Sequence, residues 1–106
     1  MVDCIFCKII NKSLTAQIIY EDDELMAFKD IHPKAIVHFL IIPKLHISSM
    51  LELTHNDSGL MGKALVLANE LAIEQGLIKG YKTLINTGLS GGQEVFHLHM
   101  HIFGNP

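Results

Sequence analysis

The sequence predicts an α+β domain: an antiparallel sheet of about five strands, with one long helix and a short helix on one face. Three observations predict it. Two runs rich in β-branched and aromatic residues, IIYEDDELMAFKD and VHFLIIPK, precede one long helical stretch that begins at DSGLMGKAL. Two more such runs, GYKTLINTG and VFHLHMHIFG, follow it. No repeat, low-complexity tract or linker separates them, so residues 1–106 read as a single domain. Strands that cluster before and after a helix, and do not alternate with helices, favour an antiparallel sheet with its helices segregated.

In chain order, IFCKII makes a short N-terminal helical turn. IIYEDDELMAFKD reads as two short strands around an Asp-Asp turn, an antiparallel hairpin. VHFLIIPK is a strand over 37–43, ended by Pro43. SSMLELT forms a short helix. The long helix starts at Asp57, a good N-cap, and stops at Gly76, a C′ glycine. Leu60, Met61, Ala64, Leu65, Ala68, Leu71 and Ala72 recur at three- and four-residue spacing as its core stripe. GYKTLINTG is the fourth strand, LSGGQE a glycine-rich loop, and VFHLHMHIFG the last strand.

Composition narrows the function. Net charge is −3, with eight lysines and no arginine. A basic stripe for nucleic acid is absent, and no guanidinium fork is on hand for phosphate. Hydrophobic residues make up 49% of the chain and mean hydropathy is +0.33. That excess suggests apolar surface covered by a second copy of the chain. The opening MVDCIFCKII has neither the basic stretch nor the apolar run of a secretory leader. No apolar stretch approaches the ~20 residues of a membrane span. The expectation is a cytoplasmic protein without a membrane or nucleic-acid partner, in which Cys4 and Cys7 stay reduced.

The chemistry concentrates in HLHMH. In a strand, His97, His99 and His101 share one face, about 6.7 Å between neighbours. Three of the seven histidines lie within these five residues. Two functions are open to them. In one, the three converge on one metal, although neighbours on a flat strand splay apart. Alternatively one imidazole is a nucleophile near neutral pH and the others handle protons and phosphate charge. The loop NTGLSGGQEVF leads into them, and the Gly91-Gly92 turn permits an anion-binding nest of N–H groups.

HLHMHIFG preceded by GGQEVF resembles the His-x-His-x-His signature of the histidine triad superfamily. CIFCKII, FKDIHPKA, HFLIIPKLHIS and KGYKTLINTG are similar to its Hint branch, in the same order, from about residue 3 to 104. The resemblance implies a homodimer that joins two sheets and hydrolyses purine nucleotides such as AMP phosphoramidates and acyl-adenylates. His99 matches the nucleophile, which becomes transiently nucleotidylated. His101 matches the histidine beside the phosphate oxygens and leaving group, and His38 the pocket histidine that supports proton transfer. Asn86 and the backbone of Gly92, Gln93, Glu94 and Val95 match the phosphate contacts. Asp30 matches the ribose acceptor, and Ile5, Phe6, Ile9, Leu14, Phe28 and Ile31 the apolar base pocket.

Glu94 stands where animal Hint proteins carry a serine, and an ionised carboxylate cannot donate to phosphate; acidic substrates are therefore disfavoured. The tail that shapes the leaving-group side in many Hint proteins has no counterpart after Pro106. Some members of the superfamily hold structural zinc through residues matching Cys4, Cys7, His46 and His97. Where the cysteines are missing, the His46 equivalent joins a proton relay with a tyrosine, matched by Tyr81. A single structural Zn²⁺ and no organic cofactor is the expectation. His32 and His55 read as surface loop residues. The rival reading is a non-catalytic nucleotide- or zinc-binding interaction protein on the same fold.

Overall fold

The computed structural model of the chain describes residues 3–106. Five strands, β1 (Ile18–Glu21), β2 (Leu25–Lys29), β3 (Val37–Pro43), β4 (Lys82–Leu84) and β5 (Met100–Gly104), form one sheet in the order β1-β2-β3-β5-β4. All neighbouring pairs are antiparallel. Two α-helices accompany them, α1 (Ile5–Ile10) and α2 (Ser58–Glu74). No helix among the described residues is long and apolar enough to cross a membrane.

The hairpin turn works through Asp22, whose carboxylate accepts from the N–H groups of Glu24 and Leu25, both at 2.8 Å. Alternation then sorts each strand onto two faces. Leu25 and Ala27, Phe39 and Ile41, and Met100 and Ile102 face α2 and pack on Ala64, Leu67, Ala68, Leu71 and Ala72. Met26, Phe28, Leu40 and Ile42 face the other way, onto Phe6 and Ile9 of α1. β3 is therefore buried on both sides from His38 onward, as the unbroken apolar run after His38 requires. Each fully buried Leu, Ile or Phe here stabilises the fold by roughly 1.5–3 kcal/mol.

Two details of α2 differ from expectation. In α2, Leu65 is 55% exposed while Leu67 is buried. At 100° per residue Leu65 lies at the edge of the stripe and Leu67 nearer its centre. Asp57 holds the N-cap position of α2 but caps the preceding turn, where its carboxylate accepts from the Thr54 N–H at 2.9 Å. The SSMLELT segment forms its short helix as a single 3₁₀ turn, Met50–Glu52. At the other end of α2, Gly76 has φ +92° and follows the C-cap Gln75, as the sequence predicts.

The last strand is shorter than VFHLHMHIFG suggests and begins only at Met100. In the register Ile41↔Met100, the two following pairs would set Ile42 against His99 and Pro43 against Leu98. Pro43 has no N–H to donate, and its carbonyl accepts from the ring of His97 at 2.7 Å. The Leu98 N–H turns instead to the carbonyl of Ile47, 2.7 Å away. His97 and His99 thus precede the strand proper, yet alternation persists, with Leu98 directed at α2.

Candidate functional site

The histidines lie on the α1 face of the sheet, beside Phe6. The rings of Phe6 and His99 meet edge to face at 5.1 Å, and those of His99 and His101 at 5.0 Å. His99 is buried, and its Nδ1–H donates to the backbone carbonyl of His97 at 2.7 Å. A carbonyl can only accept, so this bond fixes the proton on Nδ1 and leaves the Nε2 lone pair bare.

His101 and His38 sit on the paired strands β5 and β3, with His38 Nε2 3.0 Å from His101 Nδ1. Asp30 directly follows β2; its Oδ2 lies 3.3 Å from His38 Nε2 and 3.8 Å from His101 Nδ1. Its other oxygen accepts the His32 N–H at 2.8 Å, closing the turn into the IHPKA loop. Burial pushes the His38 imidazole below its ordinary value, against the pull of the Asp30 carboxylate. Burial, followed by the neighbouring His99 and His38, pushes His101 down to about 4. Both rings are neutral at physiological pH.

The glycine turn is built differently from a simple nest. The N–H groups of Gly91 and Gly92 bond to the carbonyls of Gly88 and Leu89, and that of Gln93 to Gly88, at 3.0–3.2 Å. A side chain on Gly91 would overlap the Thr87 backbone, so the turn requires glycine there. The buried Gln93 amide staples the loop. It accepts from the Gly88 N–H (2.9 Å) and donates to the carbonyls of Ser48 (2.7 Å) and Val95 (2.9 Å). Gly92 and Gln93 therefore have no N–H to offer an anion, which corrects the nest expected at Gly91-Gly92. Among the described residues, the N–H groups of Glu94 and Val95 have no protein acceptor. Gln93 is a brace for the loop, a role the sequence concealed because its partners lie elsewhere in the chain.

Of the residues matched to the base pocket, Phe6, Ile9 and Phe28 pack together in the core, while Ile31 beside Asp30 is 84% exposed. Ile5 and Leu14 are about half exposed, and Asn86 is half-buried. Glu94 is exposed and lines an open cleft with Asp3, Ile5, Val95 and Phe96. His32 and His55 are exposed in loops, as expected.

Cys4, Cys7, His46 and His97 come together from three separate places in the chain, with donor atoms within 4.8 Å of one another. His97 Nδ1 lies 3.4 Å from Cys4 Sγ and 3.6 Å from Cys7 Sγ, and His46 Nδ1 is 3.3 Å from Cys7 Sγ. Zinc bonded tetrahedrally to N and S at about 2.0–2.3 Å sets its donors about 3.3–3.8 Å apart, so the residues fit that ion. The second shell fits too. His97 Nε2–H donates to the Pro43 carbonyl, leaving Nδ1 free to ligate, and the Cys7 N–H donates to Cys4 Sγ at 3.3 Å. Burial and the adjacent Cys4 push the Cys7 thiol up, a response that a divalent cation reverses. The Tyr81 relay does not form. Its hydroxyl donates to Asn69 of α2 at 2.8 Å, while His46 faces the cysteines.

Comparison with known proteins agrees with this geometry. The family model described as "Scavenger mRNA decapping enzyme C-term binding" matches residues 3–106. Protein HitA of Neisseria gonorrhoeae is 52% identical over 106 residues, covering 100% of this chain and 99% of that protein. A HIT family hydrolase from Legionella pneumophila superposes with a TM-score of 0.94 at 42% identity, covering 96% of this chain and 92% of that one. One from Clostridium thermocellum gives 0.93 at 43% identity, with 98% and 91% covered. A single sequence family thus accounts for the sheet order, the two helices and the HLHMH triad together: the chain belongs to the histidine triad (HIT) family.

Proposed function

We propose that the protein is a nucleotide hydrolase that splits purine nucleoside 5′-phosphoramidates and acyl nucleotides through a covalent nucleotidyl-histidine. The observation that carries this reading is the tautomer of His99. Its Nδ1–H is held by the His97 carbonyl at 2.7 Å, so the Nε2 lone pair is available at neutral pH. Nε2 attacks the α-phosphorus, an Nε2–P bond forms as the P–N or P–O bond breaks, and the leaving group takes a proton. Water then attacks the same phosphorus, returning His99 and releasing AMP. The N–H groups of Glu94 and Val95, with Asn86, hold the phosphate oxygens where charge shifts in the transition state. Asp30 accepts from the ribose hydroxyls, and exposed Ile31 beside it offers an apolar surface to the base.

Two further elements belong to this reading. Cys4, Cys7, His46 and His97 hold a structural Zn²⁺, which pins the N-terminal turn to the sheet and keeps the His97 ring out of proton chemistry. The protein is a homodimer whose interface takes in α2, where Leu65, Val66 and Ile73 are exposed, and the edge strand β4. Sedimentation at micromolar concentration then gives about twice the 11.8 kDa chain mass.

The direct experiment uses a slow adenosine 5′-phosphoramidate followed by intact-mass analysis. The wild-type protein gains one adenylyl group, and His99→Ala neither gains it nor turns over substrate while still binding AMP. Near-normal turnover by His99→Ala would overturn the covalent mechanism.

A further inference from the structure

His38 makes a contact that none of the site roles above uses. The backbone N–H of Lys34, in the IHPKA loop, donates to His38 Nδ1 at 3.0 Å. That single bond has consequences for the whole histidine row. An amide N–H can only donate, so Nδ1 must present a lone pair, and a neutral ring must then carry its proton on Nε2. A doubly protonated His38 would set two donors against each other. The side chain of His38 is fully buried, so no water relieves that clash.

The Nε2–H of His38 faces His101 Nδ1 at 3.0 Å, with the Asp30 carboxylate at 3.3 Å as a second acceptor. His101 must meet a donor with a lone pair on Nδ1, so its own proton lies on Nε2, the ring edge turned away from His38. We propose that the Lys34 amide is a positioning group: it locks His38 as the Nε2–H tautomer, and His38 in turn fixes His101 as a neutral Nε2–H donor to the substrate phosphoryl group. The row then orients and does not shuttle. For His101 to give up its Nε2 proton, it would have to draw one from His38, which would draw one from a backbone amide that cannot release it. His38 is thus a fixed hydrogen-bond partner, in place of the proton-transfer role that the family resemblance implies. The depressed basicity of both buried rings agrees with neutral forms.

The same wiring bears on Asp30, His38 and His101 as a second set of closely spaced potential ligands. A cation at His38 Nε2 would need the lone pair that the Lys34 bond places on Nδ1, turning the ring into an imidazolate. The Lys34 amide therefore holds this cluster for hydrogen bonding.

The inference rests on the proposed phosphoryl transfer only for its catalytic consequence, because tautomers can be read without substrate. In protein labelled with ¹⁵N-histidine, long-range ¹H–¹⁵N correlation at neutral pH should show Nε2 protonated and Nδ1 bare for His38 and His101. His99 should show the opposite pattern and serve as the internal contrast. In His38→Gln the side-chain amide nitrogen overlies Nε2, and His101 should keep one tautomer; in His38→Asn it overlies Nδ1, and His101 should show a mixture. With an adenosine phosphoramidate, kcat should be about tenfold lower in His38→Asn than in His38→Gln, the loss of about one net hydrogen bond. Lys34→Pro, which removes the N–H donor together with the lysine charge, should release the His38 tautomer, and Lys34→Gln, which removes the charge alone, should not. A His38 protonated on Nδ1, or an unaltered tautomer in folded Lys34→Pro, would overturn the inference. Correct tautomers in a protein without turnover would instead reject the proposed reaction.

Discussion

Acidifying the protein tests the site through its stability. In the unfolded chain His101 titrates near 6.5; in the fold it is pushed down to about 4, first by burial and then by His99 and His38. Between those values the unfolded chain holds a proton that the folded one refuses, so falling pH favours unfolding. The stability His101 contributes is complete above about pH 6.5, drains as pH falls, and is gone by about pH 4. Integrating between the two values gives a loss of about 2 kcal/mol at pH 5 and about 3 kcal/mol at pH 4. His38, also depressed by burial, adds in the same direction. Urea unfolding at pH 7.5, 6.5, 5.5 and 5 measures the slope, and the same series on His101→Gln removes this group and its share. The difference between the two slopes isolates His101 from other titrating groups. Equal slopes, or an NMR midpoint for His101 at or above 6.5, would refute the reasoning.

The loop and the metal set yield further expectations. Gly91→Ala forces a methyl group against the Thr87 backbone, which cannot yield, and should cost about 1–3 kcal/mol in urea unfolding. Because the loop must open to admit it, KM for a phosphoramidate should rise as well. Gln93→Ala strips the staple from Gly88, Ser48 and Val95 and should destabilise by about 1–3 kcal/mol, again with a raised KM. Cys4→Ser/Cys7→Ser should abolish bound zinc in metal analysis and lower the Tm while keeping much of the turnover. A zinc-free wild-type protein of unchanged Tm would contradict the metal assignment.

Much of this protein is legible along the chain. Hydrophobic periodicity is a local property, so the hairpin, β3, α2 and its glycine stop follow from the residues themselves. The same-face histidines are legible for the same reason, since alternation persists before the ladder begins. Contacts between distant segments are not encoded in any window. That Pro43 ends the β5 ladder depends on the register of β3 against β5, which pairs residues about sixty apart. Gln93 reads as a phosphate-loop residue until its partner Ser48 is brought beside it.

Sequence by itself determined the fold class and the triad, and the family resemblance singled out Cys4, Cys7, His46 and His97 as a candidate metal set. The tertiary structure decided what each does with its protons: Tyr81 goes to Asn69 and not to His46, the glycine turn uses its own N–H groups, and the Lys34 amide reaches His38. A side chain's chemistry belongs to its residue type, but a tautomer depends on which donor or acceptor faces the ring. Packing alone sets that.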